Sequence, residues 1–519
     1  MSASGRAGVL AIDLGTTGVK VAVVDGSGAV LASAGERFPT VFTPDGGAEQ
    51  DPEQWWAAIG RCARLAVRES SRDGDDLTLV AVTSQYMSTV SITADGRPCA
   101  PAIIWMDRRG RRHHPFVGDR ATHERWVELH GLPSSGNDDI GHICFIRAEW
   151  PDVYAEADYF VEPVDYVAAR LTGRVAANQN TAFPLLVVDN RSLDAVGYSP
   201  ELLERSGLDP AKLPPLLPFG EPRGALTVEA ADHLGIARSA VLASATIDSV
   251  TSAIGGGAID RGSCALVVGT TSVIATHVPD RRADLAHGLT TAPSAFADRY
   301  FLVAENGVGG KALDTFVSNV VYPDDGLGPP APADAFERVT DVAGRAPAGA
   351  NGVLYLPWLV GSMAPGGNRD VRGGFVNLDL ASSRADMARA VLEGVAFNAA
   401  WLLPHVEALA GTTYDEITFG GGGARSGLWG QILADALGVR VRRLANPNAT
   451  NAHGAALLAL VEAGAFELAD IPSLLAVEAV HEPDHATHDL YRRLGEAFVD
   501  FHDRAAPFFQ LLHTARGRP

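Results

Sequence analysis

Cysteine is scarce in this sequence: four residues in 519, Cys62, Cys99, Cys144 and Cys264, with no C-x-x-C spacing among them. That excludes a disulfide-framed scaffold and a cysteine-based zinc site, and it predicts reduced, mostly buried thiols. Positive charge is short as well. Lys and Arg total 42 against 62 Asp and Glu, a formal net charge of −20, which argues against nucleic acid or an anionic membrane as partner. No apolar run reaches the roughly 18 residues that a bilayer-spanning helix needs. No signal-like stretch precedes the first apolar run, so a cytoplasmic location is expected. A G-x-x-x-x-G-K-[ST] phosphate loop is also missing, because Ala312 follows Gly310-Lys311. The chain is too long for one comfortable core, and two large domains are expected.

What is present begins near the start. Two β-branched apolar runs, residues 9–14 and 19–24, flank Gly15-Thr16-Thr17-Gly18, a pattern that predicts strand, tight turn, strand. The turn offers backbone N–H groups and two hydroxyls, with Lys20 just beyond it, and such a nest of donors can cradle phosphate. Asp13 ends the first strand where it could hold a hydrated Mg²⁺ on those phosphates. An ordinary glycine hairpin satisfies the same local pattern. A second copy, Gly269-Thr270-Thr271 between apolar runs 264–268 and 273–274, favours the phosphate reading: two such turns could grip a polyphosphate across a cleft.

Between the copies, Asp51-Pro52 opens an amphipathic helix carrying Trp55 and Trp56, with Asp51 as cap and Gln54 completing a capping-box-like spacing. The buried strand 79–83 breaks into Gln85-Tyr86-Met87, and the run 102–104 into Trp105-Met106-Asp107. Loops after such strands tend to line sites in open α/β sheets. Asp248 opens a small-residue helix before Gly255-Gly256-Gly257, a place where an Asp is usually a cap. Residues 416–426 read as strand, glycine loop and a helix capped by Ser426, running to Leu437 and stopped by Gly438. Bare glycines let a flat adenosine approach the backbone.

The paired turns resemble the phosphate motifs of the actin/hexokinase/Hsp70 superfamily. Residues 372–378 and 386–393 match the second signature of the sugar kinases named for a Phe-Gly-Gly-Tyr motif, with Asn377 standing for the usual Gly. The first signature is degraded, with His142 and Phe145 for Lys and Trp, and nothing is carried over from it. The stretch 50–56 is most similar to the xylulose kinases of that family. The resemblance implies an α/β protein of two ribonuclease-H-like, actin-like ATPase domains with mixed sheets and a central cleft. The expected units are residues 1–254, residues 255–475 and a C-terminal helical extension, 476–519, with a hinge near Gly255.

It further implies phosphoryl transfer from MgATP to a hydroxyl of a small sugar or polyol, and a homodimer. Asp248 would be the catalytic base and Asp13 the metal ligand. Gly15, Thr16, Thr17, Lys20, Gly269, Thr270, Thr271, Gly310, Gly421, Gly422, Gly423 and Ala424 would bind ATP, while Gln85, Tyr86, Met87, Trp105, Asp107 and Asp248 would bind the sugar. A core Trp with a surface Asp is the plainer account of Trp105 and Asp107. Glycerol kinases place Arg-Glu after the Gln of this loop and xylulose kinases Met-His, so Tyr86-Met87 departs from both. Xylulose-like ketoses and C4–C6 polyols stay open.

Two motifs point elsewhere. Residues 307–312 fit G-x-G-x-x-A, with Asp324 and Asp325 beyond, as in an NAD-dependent oxidoreductase. His481-Glu482-Pro483-Asp484-His485 fits a zinc-protease motif, though Pro483 would break the helix it needs. A non-catalytic actin-like nucleotide switch would share the paired turns but would not need Asp248 or Trp105.

Overall fold

The first apolar runs form β1 (Gly8–Leu14) and β2 (Gly18–Val24), followed by β3 (Val30–Arg37), α1 (Pro52–Glu69) and β4 (Leu77–Ser84). The structure, a computed structural model, describes residues 8–115, 120–132 and 136–515; the outer ends of the expected units, 1–7 and 516–519, lie outside the described residues. After several short helices come β5 (Gly224–Ala225), β6 (Val241–Ile247) and α2 (Asp248–Gly255). The N-terminal sheet runs β5-β6-β4-β1-β2-β3, with β1, β4 and β6 parallel and the outer pairings antiparallel. Asp51 caps α1 by accepting from the Glu53 N–H at 2.9 Å, one residue earlier than a capping box would have it.

The C-terminal half repeats the plan. Its strands are β7 (Ala265–Val268), β8 (Thr271–Val278), β9 (Ala283–Asp284), β10 (Leu289–Pro293) and β11 (Tyr300–Val308), after which comes α3 (Gly310–Phe316). The long α4 (Arg384–Ala410) precedes β12 (Glu416–Gly420), α5 (Gly427–Leu437), β13 (Arg440–Leu444), α6 (Thr450–Glu462), β14 (Val477–His481) and α7 (His485–Ala515). The sheet order is β9-β10-β11-β8-β7-β12-β13-β14. In both sheets three antiparallel strands join a parallel pair through the first of the three. This is the expected two-domain, mixed-sheet α/β architecture.

Every residue of β1 is buried. Leu10 and Ile12 pack toward α1, while Val9 and Ala11 meet Ala452, Ala455, Ala456 and Ala459 of α6. A strand covered on both faces reads as a continuous apolar run. Helix α6 thus lies on the N-terminal sheet, although its residues fall in the expected second unit. Gly255, expected near a hinge, is a close helix contact. A Cβ there would stand 2.1 Å from the Thr450 carbonyl oxygen, and one at Gly454 would stand 2.0 Å from that of Thr251. The two helices cross because neither carries a side chain at that point.

One expectation changes, and the two rival motifs fall away as their sequence context implied. The C-terminal extension is not purely helical, since β14 completes the edge of the second sheet before α7 begins. The G-x-G-x-x-A stretch does join strand to helix, but β11 is antiparallel to both neighbours, so there is no parallel βαβ unit to hold a dinucleotide. His481 ends a strand and His485 starts α7, so the zinc motif never lies on one helix face. No helix among the described residues is long and apolar enough to cross a membrane.

Candidate active site

A cleft of about 3070 Å³ is walled by residues from both sheets, several times a typical small-ligand pocket and roomy enough for a nucleotide and a second substrate. Both Gly-Thr-Thr turns line it. In the first, the Gly15 N–H donates to the Gly18 carbonyl at 3.0 Å, closing the β1–β2 turn. A Cβ on Gly18 would meet the Glu36 carbonyl at 2.3 Å, so only glycine fits. In the second, the N–H groups of Gly310 and Lys311 at the start of α3 donate to the carbonyls of Gly269 and Thr270. Gly310 is therefore a brace for the second turn as well as a lining residue.

Asp13 is 4 % exposed and stands opposite Lys20 in the β1–β2 ladder. Burial raises its pKa, against the opposing charge of Lys20 and a hydrogen bond from Asn451. Its buried Oδ1 has no hydrogen-bond partner, an oxygen suited to a divalent cation. Asp248 is the first residue of α2, one position beyond the cap at Ile247, and its Oδ1 accepts from Ser249 Oγ at 3.4 Å, so the N-cap is not its role. Burial, then the nearby Asp13 and Glu305 carboxylates, push its pKa up to about 8. Asn451 of α6 also accepts from Ser252 Oγ of α2 at 2.6 Å, so the helix crossing positions both acids.

The loop after β4 is tied down by the Gln85 N–H, which donates to the Leu14 carbonyl at 2.8 Å. Gln85 Nε2 donates to Gln50 Oε1 at 3.0 Å, and Gln50 Nε2 donates to the Thr16 carbonyl at 2.7 Å. One amide relay thus joins the expected sugar loop to the first phosphate turn, while Gln85 Oε1 is left without a partner. Met87 adopts a left-handed backbone, φ +56°. Burial, with the Glu305 charge, holds the Tyr86 hydroxyl well above its ordinary pKa, and Ser249 hydrogen-bonds it. Trp105 is 37 % exposed and its indole N–H donates to Thr16 Oγ1 at 3.0 Å.

Two expected contacts are not made available to the cleft. Asp107 is 0 % exposed; its oxygens accept from the Ala48 N–H and from the Arg109 guanidinium and N–H, at 2.7–3.0 Å for the closest of them. A carboxylate so occupied has no oxygen left for a sugar. Ala424 is buried behind the glycine loop, its N–H donating to the Gly421 carbonyl, which leaves Gly421, Gly422 and Gly423 facing the cleft. The helix that follows is as expected: Ser426 caps α5 and Gly438, φ +71°, ends it.

Glu305, Asn451 and Gln50 were missed as site residues. Glu305 lines the cleft from β11, with its pKa raised by burial and opposed by Arg369. A charged residue ending the apolar run 301–304 was the available signal. Asn451 left none, because its partners lie more than 400 residues away along the chain or on another helix.

The N-terminal-domain model of the FGGY family of carbohydrate kinases matches residues 8–255, and the C-terminal-domain model matches residues 264–463. The chain is 27 % identical to a xylulose kinase of Staphylococcus epidermidis, over 93 % of this chain and 94 % of that one. It is 25 % identical to a gluconokinase of Bacillus subtilis over 95 % of each. Among solved structures it superposes on a xylulose kinase from Rhodospirillum rubrum with TM-score 0.81 at 24 % identity, covering 97 % of this chain and 100 % of the other. A gluconate kinase from Lactobacillus acidophilus gives TM-score 0.83 at 23 % identity, covering 97 % and 99 %. The two matched models span most of the chain across the cleft just described, and the chain belongs to the FGGY family of carbohydrate kinases, as an ATP-dependent sugar kinase.

Proposed function

We propose that this kinase phosphorylates an uncharged ketose or polyol of the xylulose type, with Asp248 as the base. The observation that carries the reading is the pair of cleft carboxylates, Asp248 and Glu305, beside Tyr86. They can exchange hydrogen bonds with sugar hydroxyls, and once Asp248 has ionised to act as base its charge would disfavour an acid sugar such as gluconate. Asp248 takes the proton of the reacting hydroxyl as its oxygen bonds to the γ-phosphorus and the bond to ADP breaks. Thr16, Thr17, Thr270 and Thr271, with the N–H groups of their turns, hold the phosphates, and Lys20 adds positive charge. Gly421, Gly422 and Gly423 give the adenosine a flat approach.

Asp13, with its unpartnered buried oxygen, suits Mg²⁺, held with Asn451 in support; the ion would neutralise phosphate charge. Tyr86 and Met87 supply one hydroxyl and a thioether, so C4–C6 polyols are carried as substrates beside xylulose. A homodimer in the cytoplasm completes the reading, and light scattering of the purified chain tests the dimer.

The deciding experiment is ATP consumption against C3–C7 ketoses, polyols and sugar acids, with wild type and Asp248→Asn. The variant should fold, bind ATP and lose turnover by roughly 10² to 10⁴. Near-normal turnover would overturn the base assignment, and a preference for gluconate would overturn the substrate class.

A further inference from the structure

Away from the Asp13–Asp248 pair, the only group of three metal-ligating side chains among the described residues is Asp284, His287 and His405. Asp284 lies on β9, His287 in the turn to β10, and His405 on α4. One ligand atom from each falls within 4.8 Å of the others. The two imidazoles stand with ring centroids 4.0 Å apart, and His287 Nδ1 lies 2.6 Å from Asp284 Oδ2. Each of the three is half-buried, reachable from solvent yet confined.

We propose that this triad binds one divalent transition-metal ion of the Zn²⁺ class. Two imidazoles and one carboxylate suit Zn²⁺, Co²⁺ or Ni²⁺ and not Mg²⁺ or Ca²⁺, which prefer all-oxygen shells. Tetrahedral Zn²⁺ with bonds of about 2.1 Å sets its ligands about 3.4 Å apart, so side-chain rotation of an ångström or so closes the site around the ion. The metal then replaces the proton between His287 Nδ1 and Asp284, and His287 carries its proton on Nε2. Three protein ligands leave one position for water.

The placement gives the ion a job. Leu285, Ala286 and Gly288, interleaved with the ligands in the same turn, line the cleft. The hairpin already hydrogen-bonds to α4, where Arg282 Nη1 donates to the Leu409 carbonyl at 2.9 Å. A metal on His405, one helical turn earlier, adds a second anchor and fixes this wall of the cleft.

The test is calorimetric titration of chelator-treated full-length protein with Zn²⁺, in excess Mg²⁺ so that Asp13 is occupied. Absorption spectra with Co²⁺ report the coordination sphere. One equivalent should bind, with visible d–d bands of a four- or five-coordinate site. His405→Ala and His287→Ala, both half-buried positions, should keep the fold by circular dichroism and weaken binding by about 100-fold or more, the scale at which perturbed metal shells fail. Absence of binding, or the same affinity in both variants, would overturn the proposal. Binding that excess Mg²⁺ displaces would overturn it too, since it would mark an oxygen site.

Discussion

A carboxyl with a pKa near 8 is mostly protonated at neutral pH, so Asp248 in the free protein must first lose its proton to act as a base. The rate constant kcat/KM for the sugar should therefore rise with pH through an acid limb near 8. In ¹³C carboxyl spectra Asp13→Asn should lower that pKa, because one of the two neighbouring charges is gone; an unmoved resonance would disprove the coupling. The same shift bears on stability. Between the ordinary 3.8 and about 8 the folded chain holds a proton that the unfolded chain has lost. This group's contribution is thus full below the lower value and falls as pH rises to the upper one. Asp248→Asn should melt higher than wild type above about pH 8, by thermal scans in matched buffers.

Met87 is the other residue with a measurable consequence. It occupies the place of a His in xylulose kinases, on a left-handed backbone that His tolerates better than most side chains. Met87→His should raise kcat/KM on D-xylulose. Glycerol should remain a poor substrate, since the Arg-Glu pair that would bind it with charge-assisted bonds, each worth roughly 1.5–3 kcal/mol, is missing. No gain on D-xylulose, or a wild-type preference for glycerol, would refute this account of the loop.

Helices α2 and α6 are the elements on which the site depends, one starting with Asp248 and the other carrying Asn451. Their crossing tolerates no side chain at Gly255 or Gly454, where a Cβ would strike backbone rather than a flexible tip. Either Gly→Ala change should destabilise by about 1–3 kcal/mol and also lower kcat, read from urea unfolding and steady-state rates. An unchanged urea midpoint would argue that the helices cross more loosely. Position 377 shows the opposite tolerance. Asn377 has φ +66° and its Nδ2 donates to the Gly352 carbonyl at 3.1 Å, so the turn that usually takes Gly is kept by a residue suited to the left-handed region. Asn377→Gly should be nearly neutral, whereas Asn377→Val should cost about 1–2 kcal/mol in the same unfolding assay.

At the scale of the molecule, the two phosphate turns belong to different sheets and the cleft between them is wide. Phosphoryl transfer needs donors on both sides of the phosphates and exclusion of water, so the substrates should draw the walls together. Solution scattering with sugar and a non-hydrolysable ATP analogue should give a smaller radius of gyration than the free protein. The same radius at demonstrated saturation would show that the open cleft is already the working form.

The sequence by itself determined the local chemistry: two Gly-Thr-Thr turns between apolar strands, an Asp ending the first strand, an Asp opening a helix and a glycine loop before a capped helix. These signals are legible because turns, caps and strand alternation depend on residues only a few positions apart. It also misread Asp107, whose pairing with Arg109 and Ala48 depends on how the loop folds back. Tertiary structure alone decided the rest. It set Asp13 close enough to Asp248 to raise that group's pKa, brought Asn451 and Glu305 to them, laid α6 on the first sheet, and put His405 beside His287. Each of those pairings joins residues tens to hundreds of positions apart, and their energies come from burial and charge at short range, which no local pattern encodes.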